Sequence, residues 1–241
     1  MGKERGFSMR YRSIAIDGPA GAGKSTLAKR LAQELGFLYV DTGAIYRTVG
    51  LAAHRRGIDP ADGGMVAEIL PQLSITMGYD GADGLQHMFL DGEDVTEAIR
   101  EHQISAYASK VAAHPAVRDF LMEMQRKAAR EHDVIMDGRD IGTVVLPGAD
   151  LKIFLTAAPE ARAQRRYKEL LERGQQADFQ QVLREVVERD RQDSQRETAP
   201  LCQGADAVLA DTTGLDLEGS FQLLLGIIRQ RLGMEEEGHA K

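Results

Sequence analysis

A single cysteine, Cys202, and no asparagine at all occur among the 241 residues of this chain. One thiol excludes an internal disulfide and any zinc site built from several cysteines, and it fits a reducing cytoplasm. No motif that would make Cys202 a reactive thiolate surrounds it, so it is expected to be a small buried hydrophobe. The lack of asparagine removes the Asn-Lys-x-Asp signature by which GTPase switches usually read guanine. No stretch reaches the roughly 18 consecutive apolar residues of a membrane span, and residues 1–10 lack the apolar centre of a secretory leader. A soluble, cytoplasmic protein without a membrane partner is expected. A basic excess is also missing: Lys and Arg number 30 against 37 Asp and Glu, a net charge of −7. That balance argues against nucleic acid as a partner and leaves the arginines to act locally. The chain has no internal repeat and no low-complexity run.

What is present begins with Gly18-Pro-Ala-Gly-Ala-Gly-Lys-Ser25, which fits G-x-x-x-x-G-K-[ST] without a mismatch. Its context is the one such a loop requires. Before it, Arg12–Asp17 is a short apolar run with β-branched residues, the mark of a buried strand. After it, Leu27, Leu31 and Leu35 recur at helical spacing and stop at Gly36. Glycines let several backbone N–H groups converge on one anion at a helix N-terminus. Lys24 would then reach the β- and γ-phosphates of a nucleoside triphosphate, and the Ser25 hydroxyl would ligate Mg²⁺.

Further along, Phe37–Asp41, Val134–Asp137, Leu151–Leu155 and Ala207–Asp211 read as buried strands alternating with helical stretches. That order predicts an α/β fold with a doubly wound, parallel, five-stranded sheet, helices on both faces, and ligands at the carboxyl ends of the strands. A helix is expected from Ala44 to Arg56, with Thr42 as its N-cap or as a ligand contact. Arg47 lies near the positive end of that helix dipole, an unfavourable place that hints at an anionic partner. Met65–Leu73 suggests a short helix. Leu73–Met77 and Gln86–Leu90, joined by turn residues 78–84, suggest a small antiparallel β piece on which His87 is a strand-face residue. Helices are expected over Val95–Ala113 and Pro115–Glu131. In the second, Val117, Phe120, Leu121 and Met124 form the core stripe and leave Arg118, judged by spacing alone, on the surface. Val134–Asp137 ends in an acid, as a strand carrying a magnesium-binding carboxylate would. Residues 159–199 read as two helices joined at Gly174, with exposed ion pairs such as Glu169–Arg173 and Glu185–Arg189. Phe179, Val182, Leu183, Val186 and Val187 form the inward stripe of the second, and the same period continues onto Asp190, Asp193 and Ser194. Arg189, Asp193 and Arg196 share one face, a combination suited to phosphate and sugar hydroxyls.

Together, Gly18–Thr26, Asp41-Thr-Gly-Ala-Ile-Tyr-Arg47, Asp137-Gly-Arg-Asp-Ile-Gly-Thr-Val-Val145 and Arg189–Arg196 with Ala199-Pro-Leu201 resemble the bacterial-type cytidylate kinases, over about Tyr11–Leu232. The resemblance implies transfer of the γ-phosphate of ATP to CMP or dCMP by a Mg-dependent P-loop kinase. It implies ATP binding by Gly18, Pro19, Ala20, Gly21, Ala22, Gly23, Lys24, Ser25 and Thr26. Ser109, Arg118 and Asp140 would read the cytosine edge with help from Thr42. Arg47 and Arg139 would clamp the acceptor phosphate, Arg189 and Asp193 would lie by the sugar, and Arg196 near the transferring group. Lys24, Arg139, Arg165 and Arg196 would be the catalytic cations, with Arg165 and Arg166 on a mobile lid. This reading places Arg118 in a pocket rather than on the surface, and it weakens the metal role of Asp137. Many members have Ser where Thr42 stands, and residues 1–10 fall outside the pattern.

The implied organisation is a disordered extension over 1–10 and one kinase domain over 11–232, followed by a tail over 233–241. Within the domain, 11–41, 134–157 and 200–232 form the core, 42–133 an acceptor-binding insertion and 158–199 a helical lid. A monomer is expected. An acceptor phosphate is already an anionic nucleophile, so positioning and cations must supply the catalysis, and a lid must keep water out. Two alternatives remain from the residues alone: a P-loop kinase for UMP, AMP or a non-nucleotide acceptor, and a regulatory ATP-binding module.

Overall fold

The computed structural model describes residues 10–79, 85–172 and 174–234. The expected extension before Arg10, most of the expected turn 78–84, Arg173 and the end of the tail lie outside the described residues. In chain order the elements are β1 (Ser13–Asp17), α1 (Lys24–Leu35), β2 (Leu38–Asp41), α2 (Thr42–Arg55), α3 (Gly63–Ile69), β3 (Ile75–Tyr79), β4 (Gln86–Leu90) and β5 (Glu93–Asp94). There follow α4 (His102–Val111), α5 (Pro115–Glu131), β6 (Val134–Gly138), β7 (Leu151–Thr156), α6 (Pro159–Glu172), α7 (Phe179–Gln195), β8 (Val208–Asp211) and α8 (Leu217–Leu232).

The main sheet has the order β2-β6-β1-β7-β8, and every pair in it is parallel. Its strands obey the period of two that burial on both faces demands. Ile14 and Ile16 of β1 pack with Leu27 and Leu31 of α1 and with Leu224 and Ile228 of α8. Ala15, Val40 and Met136 turn the other way, onto Ile45 and Val49 of α2 and Val117 and Leu121 of α5. The expected parallel α/β sheet with helices on both faces is therefore what forms. The small sheet β3-β4-β5 is antiparallel. A third, small cluster of Ala163, Val182 and Val186 holds α6 against α7.

Several local expectations are corrected. Asp41, not Thr42, caps α2, its carboxylate accepting the Ala44 N–H at 2.8 Å. Thr42 becomes the first helical residue, and its hydroxyl donates to the Asp137 carbonyl at 2.7 Å. Val95–Ala113 is not one helix. Glu93 and Asp94 form a third strand, Val95 N–H bonds back to Met88, and only a short 3-10 turn over Ala98–Arg100 precedes α4. On α5 the buried stripe runs Val117, Leu121, Gln125 and Ala128, which turns Phe120 outward and buries Arg118. On α7, Val187 is exposed because α6 covers only the Val182–Val186 side. Ser194 is likewise exposed, while Asp190 and Asp193 find partners. Glu185 accepts from Gln181 rather than pairing with Arg189. Cys202 is exposed, because it lies in the extended segment beyond α7 and not in an element that packs on the core.

Candidate active site

The loop from Gly18 to Gly23 joins β1 to α1 at the carboxyl edge of the sheet, and its shape rests on two glycines. At Gly18, φ is +150°, and a Cβ there would stand 1.9 Å from the Leu155 carbonyl oxygen of β7. Gly23 takes a left-handed conformation as the N-cap of α1 and offers no side-chain cap, so no cap side chain engages the first-turn amides. Those amides and the positive helix end are the components of an anion site. Lys24 folds over the loop and donates to the Pro19 carbonyl at 2.8 Å. Burial, then the nearby Arg139 and Arg189 guanidiniums, hold its ammonium well below the ordinary lysine pKa. Such a poorly solvated cation gains from a phosphate neighbour. Ser25 and Thr26 are exposed at the mouth.

Facing the loop, Asp137 at the end of β6 accepts the Ser25 hydroxyl at 3.0 Å and the Tyr39 hydroxyl at 2.8 Å. Burial, helped by the Asp41 carboxylate, pushes its pKa up to about 6. A hydroxyl and a carboxylate so placed are hard oxygen donors that fit Mg²⁺. Among the described residues no group of three or more His, Cys, Asp or Glu could hold a metal.

Beyond Asp137 the cleft is lined by arginines held by carboxylates. Arg47 pairs with Asp41 at 3.0 Å and Arg139 with Asp193 at 2.8 Å. Arg189 lies close enough to Arg139 and Arg47 that burial, and then these cations, lower its pKa to about 10. The Nε–H groups of Arg47 and Arg189 are buried and donate to no protein acceptor. Buried donors without acceptors are costly, and an anion in this cleft would relieve them. To one side, Asp140 is gripped by Arg118 and by Arg196, the latter at 3.3 Å. Arg118 and Asp140 are almost wholly buried, 3% and 4% exposed. Burial raises the Asp140 pKa and the two guanidiniums oppose it. Burial would likewise raise Asp193, yet Arg139, Arg189 and Arg196 hold it below the usual carboxylate value.

A family model for cytidylate kinase matches residues 14–230. The chain belongs to the cytidylate kinase family. Among its relatives is a protein named cytidylate kinase from Caldicellulosiruptor bescii, 50% identical over 217 residues, 90% of this chain and 95% of the relative. Proteins of the same name from Pelotomaculum thermopropionicum and Geobacter sulfurreducens are 50% and 48% identical over 89% and 90% of this chain, covering 95% and 93% of their own lengths.

In this cytidylate kinase family member, Lys24, Ser25, Thr42, Arg47, Arg118, Arg139, Asp140, Arg189, Asp193 and Arg196 belong to one connected set of hydrogen bonds, ion pairs and neighbouring charges beyond the carboxyl ends of β1, β2 and β6. Ser109 lies half-buried on α4, and among the described residues no hydrogen bond ties it to Arg118 or Asp140. Arg165 donates to the Ala22 carbonyl at 3.1 Å and to the Thr212 carbonyl at 2.9 Å, behind the loop. Arg166 pairs with Glu169. Sequence reasoning missed Arg162, which is buried, donates to the Ala20 carbonyl at 2.9 Å and forks onto Asp190 of α7. It also missed Gln86, whose amide accepts the Asp41 N–H at 2.7 Å and donates to the Asp41 carbonyl at 3.2 Å. A lone buried-strand glutamine carries no local signal. For Arg162 the only hint was its spacing, one helical turn before Arg165 and Arg166.

Proposed function

We propose that this enzyme transfers the γ-phosphate of ATP to CMP or dCMP, giving ADP and CDP or dCDP. The carrying observation is that Lys24 of the loop lies near Arg139 and Arg189, that Arg47 lies near Arg189, and that the Arg118–Asp140–Arg196 group stands beside them. Membership of the cytidylate kinase family, and relatives that bear that name at half identity, support the same reading.

In the proposed reaction an oxygen of the acceptor phosphate bonds to the γ-phosphorus while the bond from that phosphorus to the β,γ-bridging oxygen breaks, and the electron pair leaves with ADP. No proton need be removed from the nucleophile, so the residues act by orientation and charge. Gly18 to Thr26 hold ATP, with Lys24 on the β- and γ-phosphates. Arg47 and Arg139 clamp the acceptor phosphate, while Arg189 and Asp193 lie by its sugar. Arg118, Asp140 and Ser109 read the cytosine edge, with Thr42 supporting through the Asp137 carbonyl. Arg196 offsets charge on the moving group. Arg165 braces the loop from α6. Ser25, with Asp137 behind it, would hold Mg²⁺, which when bound neutralises charge shared by the β- and γ-oxygens. Residues 158–199 serve as the lid that excludes water, and 42–133 as the acceptor-binding insertion. The enzyme acts as a cytoplasmic monomer without a nucleic-acid partner. No helix among the described residues is long and apolar enough to cross a membrane.

The test is ADP formation with CMP, dCMP, UMP, AMP and GMP side by side. CMP and dCMP should be preferred. If CMP is turned over no better than AMP, the acceptor is another compound, and if none is turned over, a regulatory ATP-binding role takes its place.

A further inference from the structure

Asp17 is a buried carboxylate, 6% exposed, at the carboxyl end of β1, and the reaction as described makes no use of it. Both of its oxygens are engaged. Oδ1 accepts the N–H of Ile141 and Oδ2 the N–H of Gly142, each at 2.7 Å. These two amides open a single π-helical turn, Ile141–Val145, whose ladder closes on the carbonyls of Asp140 and Ile141. Turns of this kind are rare and cluster at functional sites.

The residue in the N-cap position of that turn is Asp140, at φ −148° and ψ 27°. An aspartate there would normally spend its carboxylate on the second or third amide of its own turn. Asp140 does not: its side chain makes no cap bond and goes instead to Arg118 and Arg196. The Gly142 N–H that it could have taken goes instead to Asp17, on another strand, which takes the Ile141 N–H as well. We infer that Asp17 is a positioning residue that caps the Ile141–Val145 turn in place of Asp140, so that the Asp140 carboxylate is available to the acceptor base. Two charge-assisted bonds inside the core fix the peptide planes next to Asp140 more firmly than one neutral bond would. Because Asp17 immediately precedes Gly18, the same residue sets the base-reading turn against the start of the ATP loop.

The inference rests on the reading of Asp140 as a contact to the cytosine edge, so the experiment includes Asp140. Asp17→Asn keeps the shape of the side chain but turns an amide NH₂ toward one of two N–H donors. Asp17→Ser shortens it and removes both bonds. For each variant, kcat and KM are measured with CMP, with UMP and with ATP, alongside Asp140→Asn. Asp17→Asn is expected to lower the kcat/KM preference for CMP over UMP by about tenfold or more, mainly through KM for CMP. KM for ATP should change by less than about twofold. Asp17→Ser should move in the same direction. A preference kept in both Asp17 variants but lost in Asp140→Asn overturns the inference and leaves the reading of Asp140 standing. A preference kept in Asp140→Asn overturns that reading and the inference with it. Equal rises in KM for ATP and CMP, or loss of ATP binding in both Asp17 variants, would make Asp17 a residue of the fold or of the loop and also overturn the inference.

Discussion

At one end of the cleft, residues 18–26 present backbone amides from a single continuous loop, held by the close approach of Gly18 to Leu155 and by the left-handed Gly23. At the other end, the groups are side chains drawn from α2, α5, the turn after β6 and α7, and Arg47, Arg118, Arg139 and Arg196 are each set by a carboxylate partner. The first kind of site tolerates little change of backbone and much change of side chain. The second depends on its side chains, because removing one member of a buried ion pair leaves its partner without a counter-charge. Neither end is independent. Arg162 joins the Ala20 carbonyl of the loop to Asp190 of α7, and Asp17 joins the strand before the loop to the Ile141–Gly142 amides.

Three variants break or sharpen this contrast. The largest effect is expected at Gly18→Ala. A methyl group 1.9 Å from a β7 carbonyl cannot fit without backbone movement, so stability should fall by about 3 kcal/mol or more, with loss of ATP affinity. Thermal unfolding with and without a non-hydrolysable ATP analogue checks it, and an unchanged midpoint would show that the loop is not held by its backbone. Next is Arg118→Met, which preserves bulk but leaves the buried Asp140 with Arg196 alone. We expect KM for CMP to rise by tens of fold while KM for ATP moves little, with a loss of about 3 kcal/mol in stability from the uncompensated charge. Equal effects on the two substrates would place Arg118 outside the acceptor pocket. The smallest is Gln86→Leu, which unpairs the Asp41 N–H and carbonyl at a cost of about 1–3 kcal/mol. Because Asp41 caps α2 and pairs with Arg47, KM for CMP should rise only a few-fold, and steady-state kinetics with ATP should be unaltered. An effect confined to ATP would disconnect the small sheet from the acceptor end.

The loop and the parallel sheet were legible in the sequence because each is a local pattern: apolar runs of strand length, a helical leucine spacing and a motif of eight contiguous residues. The arginine cluster was legible only in part. Arg47 and the Arg189–Arg196 face could be singled out by a position that opposes a helix dipole and by a buried stripe that turns polar. Arg118 read as surface from its own helix, since helical spacing alone puts it beside the Val117–Leu121 stripe. What buries it is Asp140, 22 residues away. Thr42 offered two local uses, and its choice depended on the Asp137 carbonyl, 95 residues along the chain. Cys202 looked like a core residue by type, and only its place beyond α7 made it exposed.

By itself, then, the sequence determined that this chain folds as a parallel α/β sheet and cradles a triphosphate, because backbone conformation at glycines and short-range periodicity are properties of neighbouring residues. Which arginine meets which carboxylate, which aspartate accepts the Ile141 and Gly142 amides and how Asp140 comes to lie between Arg118 and Arg196 were decided only by the tertiary structure. Apart from Arg47–Asp41, those contacts join residues 22 to 125 positions apart, and a buried charge takes its role from whatever opposite charge the fold brings within a few ångströms of it.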